Sequence, residues 1–262
     1  YPTIAGGTLL DSASTFVKDA SDDPKEDKDL IGSMEMRRND QRSFTLRVTA
    51  RDLNRDTETT VFIPVERGEP GHRQGFLPLS ERGIPLFDDH VPAGMRVRVL
   101  CEQYAGRTLL AERLEAPRKL PAPVFAAAGE MPTMQVDSTY TVTVGTDGSF
   151  PFTADSSGLH YFRTDTAAAA GYTLFTFNST YPTVRTAPDM VPPLRYITSL
   201  QEWDKMLTAD DTRREVEKFW TDAAGDRDRA RAAIDAYYGR VESANRWFTS
   251  WTEGWRTDRG LV

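Results

Sequence analysis

The chain has 262 residues, of which 39% are hydrophobic and 27% are charged, and its formal net charge is −7. These fractions are typical of a folded protein, so they exclude an intrinsically disordered or collagen-like chain. The acidic balance argues against nucleic acid or an anionic membrane as a partner, because both attract basic surfaces. No run of apolar residues approaches the roughly 18 to 20 residues that a membrane-spanning helix needs.

Metal, cofactor and nucleophile motifs are missing from the sequence. One cysteine, Cys101, and three scattered histidines, His72, His90 and His160, do not provide zinc-ligand spacing. Neither a Gly-x-Ser-x-Gly elbow nor a glycine-rich phosphate loop occurs. We therefore expect no metal and no cofactor, and no motif specifies a reaction.

Residues 1 to about 184 have the two-residue periodicity of β-strands. Phe44–Ala50 alternates apolar with polar side chains, and Thr59–Val65 is predicted to be its partner strand. Met95–Cys101 alternates in the same way, which predicts that Cys101 is a core residue rather than a reactive thiol. Turn-forming residues separate the further predicted strands, which are Tyr140–Val144, Phe150–Phe152, Leu159–Arg163 and Tyr172–Phe177.

Three prolines between Pro117 and Pro123 predict an extended connector, because proline has a fixed φ and no N–H donor. Short strands on both sides of this connector favour a multidomain, mainly β chain that begins with two tandem β-sandwich (Ig-like) modules. We place the first module at residues 1–118 and the second, smaller module at residues 119–186.

A helical period follows a second proline-rich connector, Pro182–Pro193. A third helix is expected from about Asp226, and Gly225 is placed to end the helix before it. Two capping boxes mark the starts of the first two helices, namely Ser199 with Glu202 and Thr212 with Glu215. The chain is therefore expected to end in an α-rich domain at residues 187–262.

Carboxylate-rich segments are the candidates for metal binding or acid–base chemistry. Asp19–Asp29 could offer oxygen ligands to calcium, but it lacks the EF-hand spacing and is more simply a solvated loop. Two adjacent pairs could in principle act as acid and base, although charged surface is the simpler interpretation. These pairs are Asp88 with Asp89 and Asp210 with Asp211.

All five tryptophans lie in about the last 60 residues, which also hold the densest motifs of the chain. Four runs carry these motifs, namely Glu217–Trp220, Tyr237–Val241, Ala244–Phe248 and Glu253–Gly260. The last run resembles the signature of the GWxTD domain, which here consists of Gly254, Trp255, Thr257 and Asp258. A looser similarity to the β-rich N-terminal half of that family covers Asp52–Arg55, Pro85–Phe87 and Leu120–Pro123.

The GWxTD family is a set of exported bacterial proteins, often lipoproteins and mostly from Bacteroidota, without an established reaction. The resemblance therefore implies an extracytoplasmic location, in the periplasm or associated with the outer membrane. In the family, the signature leads into a further strand, whereas this chain stops at Val262. We therefore expect an incomplete α+β domain at the C-terminus.

The signature itself predicts a corner that follows a helix. Gly254 can adopt the positive φ of a turn, and Trp255 can bury its ring against the third helix. Thr257 or Asp258 can bond the backbone of the loop.

The same corner could instead be an interaction surface, because Trp, Tyr and Arg concentrate binding energy. Arg256 and Arg259 also have a structural alternative, which is to pair with helix acids or terminal carbonyls. The residues that would form the surface are Trp247, Trp251, Trp255, Arg256 and Arg259.

Three tripeptides resemble the Asp-Ser/Thr-small acceptor of bacterial O-glycosylation in Bacteroidota, and chance occurrence is the alternative. They predict sugar on Ser12, Ser138 or Thr166.

We expect a non-catalytic scaffold or accessory subunit of a cell-envelope assembly that binds protein partners. The alternative is a glycan- or peptidoglycan-binding module whose strands stack sugars on aromatic rings, although alternate residues must face a core. The rings in question are Tyr161, Phe162, Tyr172 and Phe175. A hydrolase with carboxylates that converge across domains is a third, less favoured hypothesis.

Overall fold

The computed structural model describes residues 9–18, 30–36, 43–66, 73–115, 134–168 and 170–260. The hypothetical calcium loop Asp19–Asp29, the proline-rich segment Pro117–Pro123 and the family similarity at Leu120–Pro123 lie outside the described residues. The chain divides into two compact units, Tyr1–Gly68 and Glu69–Val262.

The first unit contains an antiparallel hairpin, as the alternation of side chains predicts. Strand β1 (Phe44–Asp52) pairs along its whole length with strand β2 (Thr57–Val65). The Asp52 carboxylate accepts hydrogen bonds from the backbone N–H groups of Asn54 and Arg55, which closes the turn between the strands. Both predicted strands are confirmed.

The described part of the second unit begins with eight strands in two sheets. The strands are β3 (Leu77–Ser80), β4 (His90–Pro92), β5 (Arg96–Leu100), β6 (Thr108–Leu114), β7 (Val136–Thr143), β8 (Ser149–Thr153), β9 (Gly158–Arg163) and β10 (Tyr172–Phe177). Five strands form one sheet in the order β4-β10-β9-β6-β7, and three form the other in the order β3-β5-β8. β4 lies parallel to β10, and the other pairs are antiparallel.

The two sheets share one hydrophobic core. The three-stranded sheet contributes Val99 and Phe150, and the five-stranded sheet contributes Leu109 and Phe162, all with almost no exposed surface. Cys101 is fully buried in the same core, as predicted. Burial raises the pKa of its thiol to about 11, because a low-dielectric environment disfavours the thiolate.

The described strands do not form two tandem sandwiches. β6 precedes the proline-rich segment and β7 follows it, yet the two strands pair. β5 pairs with β8 across the same boundary. Ladder hydrogen bonds and a shared core therefore join the stretches that the proline pattern divides into residues 1–118 and 119–186. The described residues are mainly β with four α-helices at their C-terminal end, and an Ig-like arrangement is not confirmed.

Helical structure begins at Ala187, close to the point where the side-chain period is predicted to change. The helices are α1 (Ala187–Leu194), α2 (Leu200–Thr208), α3 (Thr212–Ala224) and α4 (Arg227–Phe248). Among the described residues, every α-helix lies after β10, and no strand follows β10. The predicted change from β to α structure is therefore confirmed.

The helix caps agree with the sequence at two of three predicted positions. Ser199 and Glu202 form the capping box of α2, and Gly225, at a φ of 81°, ends α3. The box predicted at Thr212 is wrong, because Asp211 caps α3 with its own carboxylate. Asp211 is thus accounted for by a local structural role.

Helix α1 replaces most of the predicted second connector. Thr186 and Asp189 form a capping box at its start, and Pro188 lies in the first turn, where a missing N–H costs nothing. Pro193 and Leu194 are buried at its other end. The proline content of this segment predicted an extended connector and gave no sign that its apolar side chains are buried in a helix.

The four helices and the short segment that follows α4 pack around a second hydrophobic core. Its buried members are Val191, Leu194, Met206, Val216, Trp220, Ala230, Tyr238, Val241, Ala244 and Trp255. No helix in the described ranges combines the length and apolarity that crossing a bilayer requires.

Candidate functional site

The signature residues form a tight corner after α4. The chain leaves this helix at Thr249 and then forms a short 3-10 helix, Gly254–Arg256. Trp255 is 6% exposed in the second core and makes an edge-to-face contact with Tyr196. The predicted burial of Trp255 is confirmed.

Gly254 is required by close approach rather than by a positive φ. A Cβ at this position would lie 1.9 Å from the carbonyl oxygen of Ala244 in α4. A Cβ at Gly260 would in turn lie 2.0 Å from the carbonyl oxygen of Gly254. The backbone of Gly254 does not adopt a positive φ, so the predicted reason for this glycine is wrong. Both positions lack room for any side chain.

The remaining signature residues close the loop. The Thr257 hydroxyl donates to the carbonyl of Gly254 at 2.7 Å and accepts from the N–H of Gly260 at 3.1 Å. Arg256 pairs with Glu253 at 3.2 Å, and its guanidinium lies over the ring of Trp255. The predicted backbone bonding of Thr257 is therefore observed. Arg256 pairs with an acid of the loop rather than with a helix acid or a terminal carbonyl, and Asp258 is exposed.

Asn245 ties the corner to the segment that precedes α1, and the sequence reasoning missed it. Its side chain is 3% exposed. Its Oδ1 accepts from the backbone N–H of Trp255 at 3.3 Å, and its Nδ2 donates to the carbonyl of Pro182 at 3.0 Å. An amide among the apolar residues of α4 was the available signal, because a buried amide needs partners.

Tyr181 connects the same corner to the five-stranded sheet. Its hydroxyl donates to the carbonyl of Asn245 at 3.3 Å and accepts from the N–H of Gly254 at 3.4 Å. Its ring packs on Phe177 and His90. Burial raises the pKa of Tyr181 to about 12, so the hydroxyl keeps its proton and remains a donor.

A cleft of about 230 Å³ lies where the end of α4 meets the start of β4. It is lined by Arg73, Phe87, Asp88, Asp89, His90, Phe175, Arg246, Trp247, Thr249 and Ser250. We refer to it as the β4–α4 cleft. The parallel register places His90 opposite Phe175, whose N–H donates to the carbonyl of Asp89 at 2.8 Å.

The charges in the β4–α4 cleft are balanced. Arg73 forms an ion pair with Asp89. Burial lowers the pKa of His90, and the carboxylates of Asp88 and Asp89 offset this effect in part. With the His90 imidazole neutral, the charged groups that line the cleft are the carboxylates of Asp88 and Asp89 and the guanidinium groups of two arginines, Arg73 and Arg246. The cleft thus presents hydrogen-bond donors and acceptors together with aromatic rings.

The five predicted interaction residues differ in how accessible they are to a partner. Trp255 is buried, and Arg256 is held by Glu253 at the corner. Trp247 is 78% exposed and lines the cleft, Trp251 is 39% exposed, and Arg259 is also exposed. Three of the five are therefore accessible.

Two of the four rings proposed to stack sugars are unavailable on the strands. Phe162 and Tyr172 are fully buried. The ring of Tyr161 is covered by the guanidinium of Arg163, 5.5 Å from its centroid. Phe175 differs, because it lines the β4–α4 cleft.

The three predicted modification sites, Ser12, Ser138 and Thr166, are all exposed. Within the described ranges, no group of three or more His, Cys, Asp or Glu side chains could hold a metal ion.

The family comparison matches the GWxTD domain to residues 158–262. This range begins with β9 and includes β10, all four helices and the corner. The resemblance indicated by the C-terminal motifs is thus confirmed for this part of the chain, and the match begins ahead of residue 187. No curated protein and no solved structure shows a significant match to the chain.

Proposed function

We propose that this chain, which carries a GWxTD domain over residues 158–262, is a non-catalytic scaffold or accessory subunit of a bacterial cell-envelope assembly. Its location would be extracytoplasmic, in the periplasm or at the outer membrane, with lipid anchoring as one route. The family resemblance supports this compartment. A protein partner would bind at the exposed aromatic surface at the end of α4.

The exposure of Trp247 is the observation that carries the proposal. This side chain is 78% exposed, whereas Trp220 and Trp255 in the same domain are each 6% exposed. Burying a large aromatic side chain is favourable by about 2 to 3 kcal/mol, so an exposed indole is a ready anchor for a partner. The helical core holds the residue in place from the other side of α4.

The surface continues beyond the helix end. Phe248 and Trp251 are each 39% exposed, and Arg259 is exposed on the corner. Aromatic rings with arginine are the usual composition of binding hot spots. Trp255 and Arg256 support this surface from within rather than forming it.

We propose two finer features with the same function. One is that the two β-sheets of the second unit serve, like an Ig-like module, as a rigid support for binding loops. The other is O-glycosylation at Ser12, Ser138 or Thr166, which their exposure permits. Intact-mass spectrometry of protein from its native host would detect the sugar, and a bare polypeptide mass would reject it.

Affinity capture from native envelope membranes tests the partner proposal. The wild-type chain should retain a stable partner, and Trp247→Ala combined with Trp251→Ala should weaken retention about 30-fold or more, as for loss of a hot spot. Leu207→Ala is the matched control, since Leu207 is an apolar residue of α2 that is 48% exposed. Absence of any stable partner, or equal retention by the double variant, would contradict the proposal.

A further inference from the structure

We propose that the β4–α4 cleft binds one neutral sugar ring of a glycan. This site is distinct in chemistry from the protein-binding surface, although Trp247 borders both. Of the four strand aromatics considered above, Phe162 and Tyr172 lie in the core, and only Phe175 lines the cleft.

The charge balance of the cleft favours a neutral ligand. Asp88 and Asp89 are matched by Arg73 and Arg246, and Arg73 directly pairs with Asp89. An anion or a cation would therefore be attracted by one pair of groups and repelled by the other. A ligand without net charge avoids this conflict.

The polar groups of the cleft suit a ligand that both donates and accepts hydrogen bonds. Within the described residues, neither Asp88 nor Arg246 makes an ion pair or a side-chain hydrogen bond. A carboxylate accepts hydrogen bonds and a guanidinium donates them. Adjacent sugar hydroxyls do both, so one ring can satisfy Asp88 and Arg246 together.

Two exposed aromatic rings supply the apolar part of the site. Trp247 is 78% exposed and Phe87 is 70% exposed, and both line the cleft. The C–H face of a pyranose ring is flat and apolar, which suits stacking on an aromatic surface. A sugar ring has one apolar face and a rim of hydroxyl groups. The aromatic rings of the cleft can stack on that face, and its charged side chains can form hydrogen bonds with the hydroxyls.

The size of the cleft limits the bound unit. Its volume of about 230 Å³ lies below the roughly 300 to 1,000 Å³ of pockets that enclose a drug-sized ligand. A single ring partly enclosed by the cleft fits this space better than two. Because Asp88, Arg246 and Trp247 are exposed, the rest of a glycan chain can extend into solvent.

Isothermal titration calorimetry with the whole chain tests this site. The probes are glucose, galactose, mannose and N-acetylglucosamine, each as the free sugar and as a neutral oligosaccharide. We expect saturable binding of at least one probe, with a change in tryptophan fluorescence. Asp88→Asn and Trp247→Ala should each weaken this binding about tenfold or more.

Trp251→Ala is the matched control, because Trp251 is an exposed tryptophan that does not line the cleft. It should leave sugar binding unchanged while it weakens capture of a protein partner. No binding of any probe at tens of millimolar would overturn the proposal. Binding that survives both cleft substitutions, or a preference for sulfated over neutral sugars, would overturn it as well. The sugar-binding results do not depend on whether a protein partner is found.

Discussion

Gly254 lies so close to Ala244 of α4 that a Cβ at position 254 would be 1.9 Å from the Ala244 carbonyl oxygen. The nearest atoms belong to the helix backbone, which cannot move aside as a flexible side chain can. The first residue of the signature is therefore set by contact between two backbone segments. This relationship predicts how substitutions at the corner affect stability.

Gly254→Ala should destabilise the protein by about 2 to 3 kcal/mol or more, because the methyl group overpacks a backbone contact. Urea unfolding monitored by tryptophan fluorescence measures the change. Gly239→Ala is the control within α4, since a Cβ there meets no atom within 4 Å. It should stabilise the protein by roughly 0.5 to 1 kcal/mol through helix propensity. Equal effects of the two substitutions would contradict the assignment.

Asn245→Ala should cost about 2 to 3 kcal/mol, because it leaves the N–H of Trp255 and the carbonyl of Pro182 without their side-chain partner. Thermal unfolding would report the loss as a lower Tm. Ser243→Ala provides the comparison, since Ser243 is exposed on the same helix and bonds only locally to the carbonyl of Gly239 among the described residues. A decrease no larger than that of Ser243→Ala would show that Asn245 does not hold the corner.

Trp255→Ala and Trp247→Ala should differ in their effect on the free energy of unfolding. Removing the buried ring of Trp255 should lower the free energy of unfolding by about 3 to 5 kcal/mol. Removing the 78% exposed ring of Trp247 should change it by less than about 0.5 kcal/mol. Chemical denaturation of both variants measures this difference, and a destabilised Trp247→Ala protein would argue that the ring packs within the fold.

His160 should make the protein less stable in mild acid. Its side chain is 5% exposed, its Nδ1 lies 3.1 Å from the hydroxyl of Tyr140, and burial lowers its pKa to about 4. The unfolded chain, with an ordinary histidine pKa near 6.5, then binds a proton before the folded one. The stabilisation is complete above about pH 6.5 and declines as the pH falls toward 4, by roughly 3 kcal/mol in total.

Urea unfolding at a series of pH values between 7.5 and 4 measures this dependence. His160→Gln removes the titrating group, so its stability should fall less steeply over the same range. His90, whose pKa is also lowered, is still present in the variant and acts in the same direction. An identical pH profile for the two proteins would exclude His160 as the cause.

Cys101 should resist alkylation in the folded protein. Its side chain is fully buried and its thiol pKa is raised to about 11, so both access and thiolate formation are suppressed. Mass spectrometry after maleimide treatment should show labelling in urea and little in buffer at neutral pH. Rapid labelling of the native protein would contradict the buried position.

Local patterns in the sequence were sufficient for many of the strands and helices of this protein, although they did not reveal α1. The alternation at Phe44–Ala50 and Thr59–Val65 predicted the hairpin, and the box of Ser199 with Glu202 predicted the start of α2. The change of period near Ala187 separated strands from helices. Such features depend on side chains a few residues apart, so they can be read without knowledge of the fold. The signature motif likewise identified the GWxTD domain.

Tertiary structure decided which elements meet. An alternating strand is compatible with many partners, so the pairing of β5 with β8 across the proline-rich segment could not be read from either strand. The contact of Gly254 with Ala244, the two backbone partners of Asn245 and the meeting of Asp88 with Trp247 in one cleft arise in the same way. Each joins segments whose approach is fixed by packing of the whole unit, and that packing is what converts separate motifs into a site.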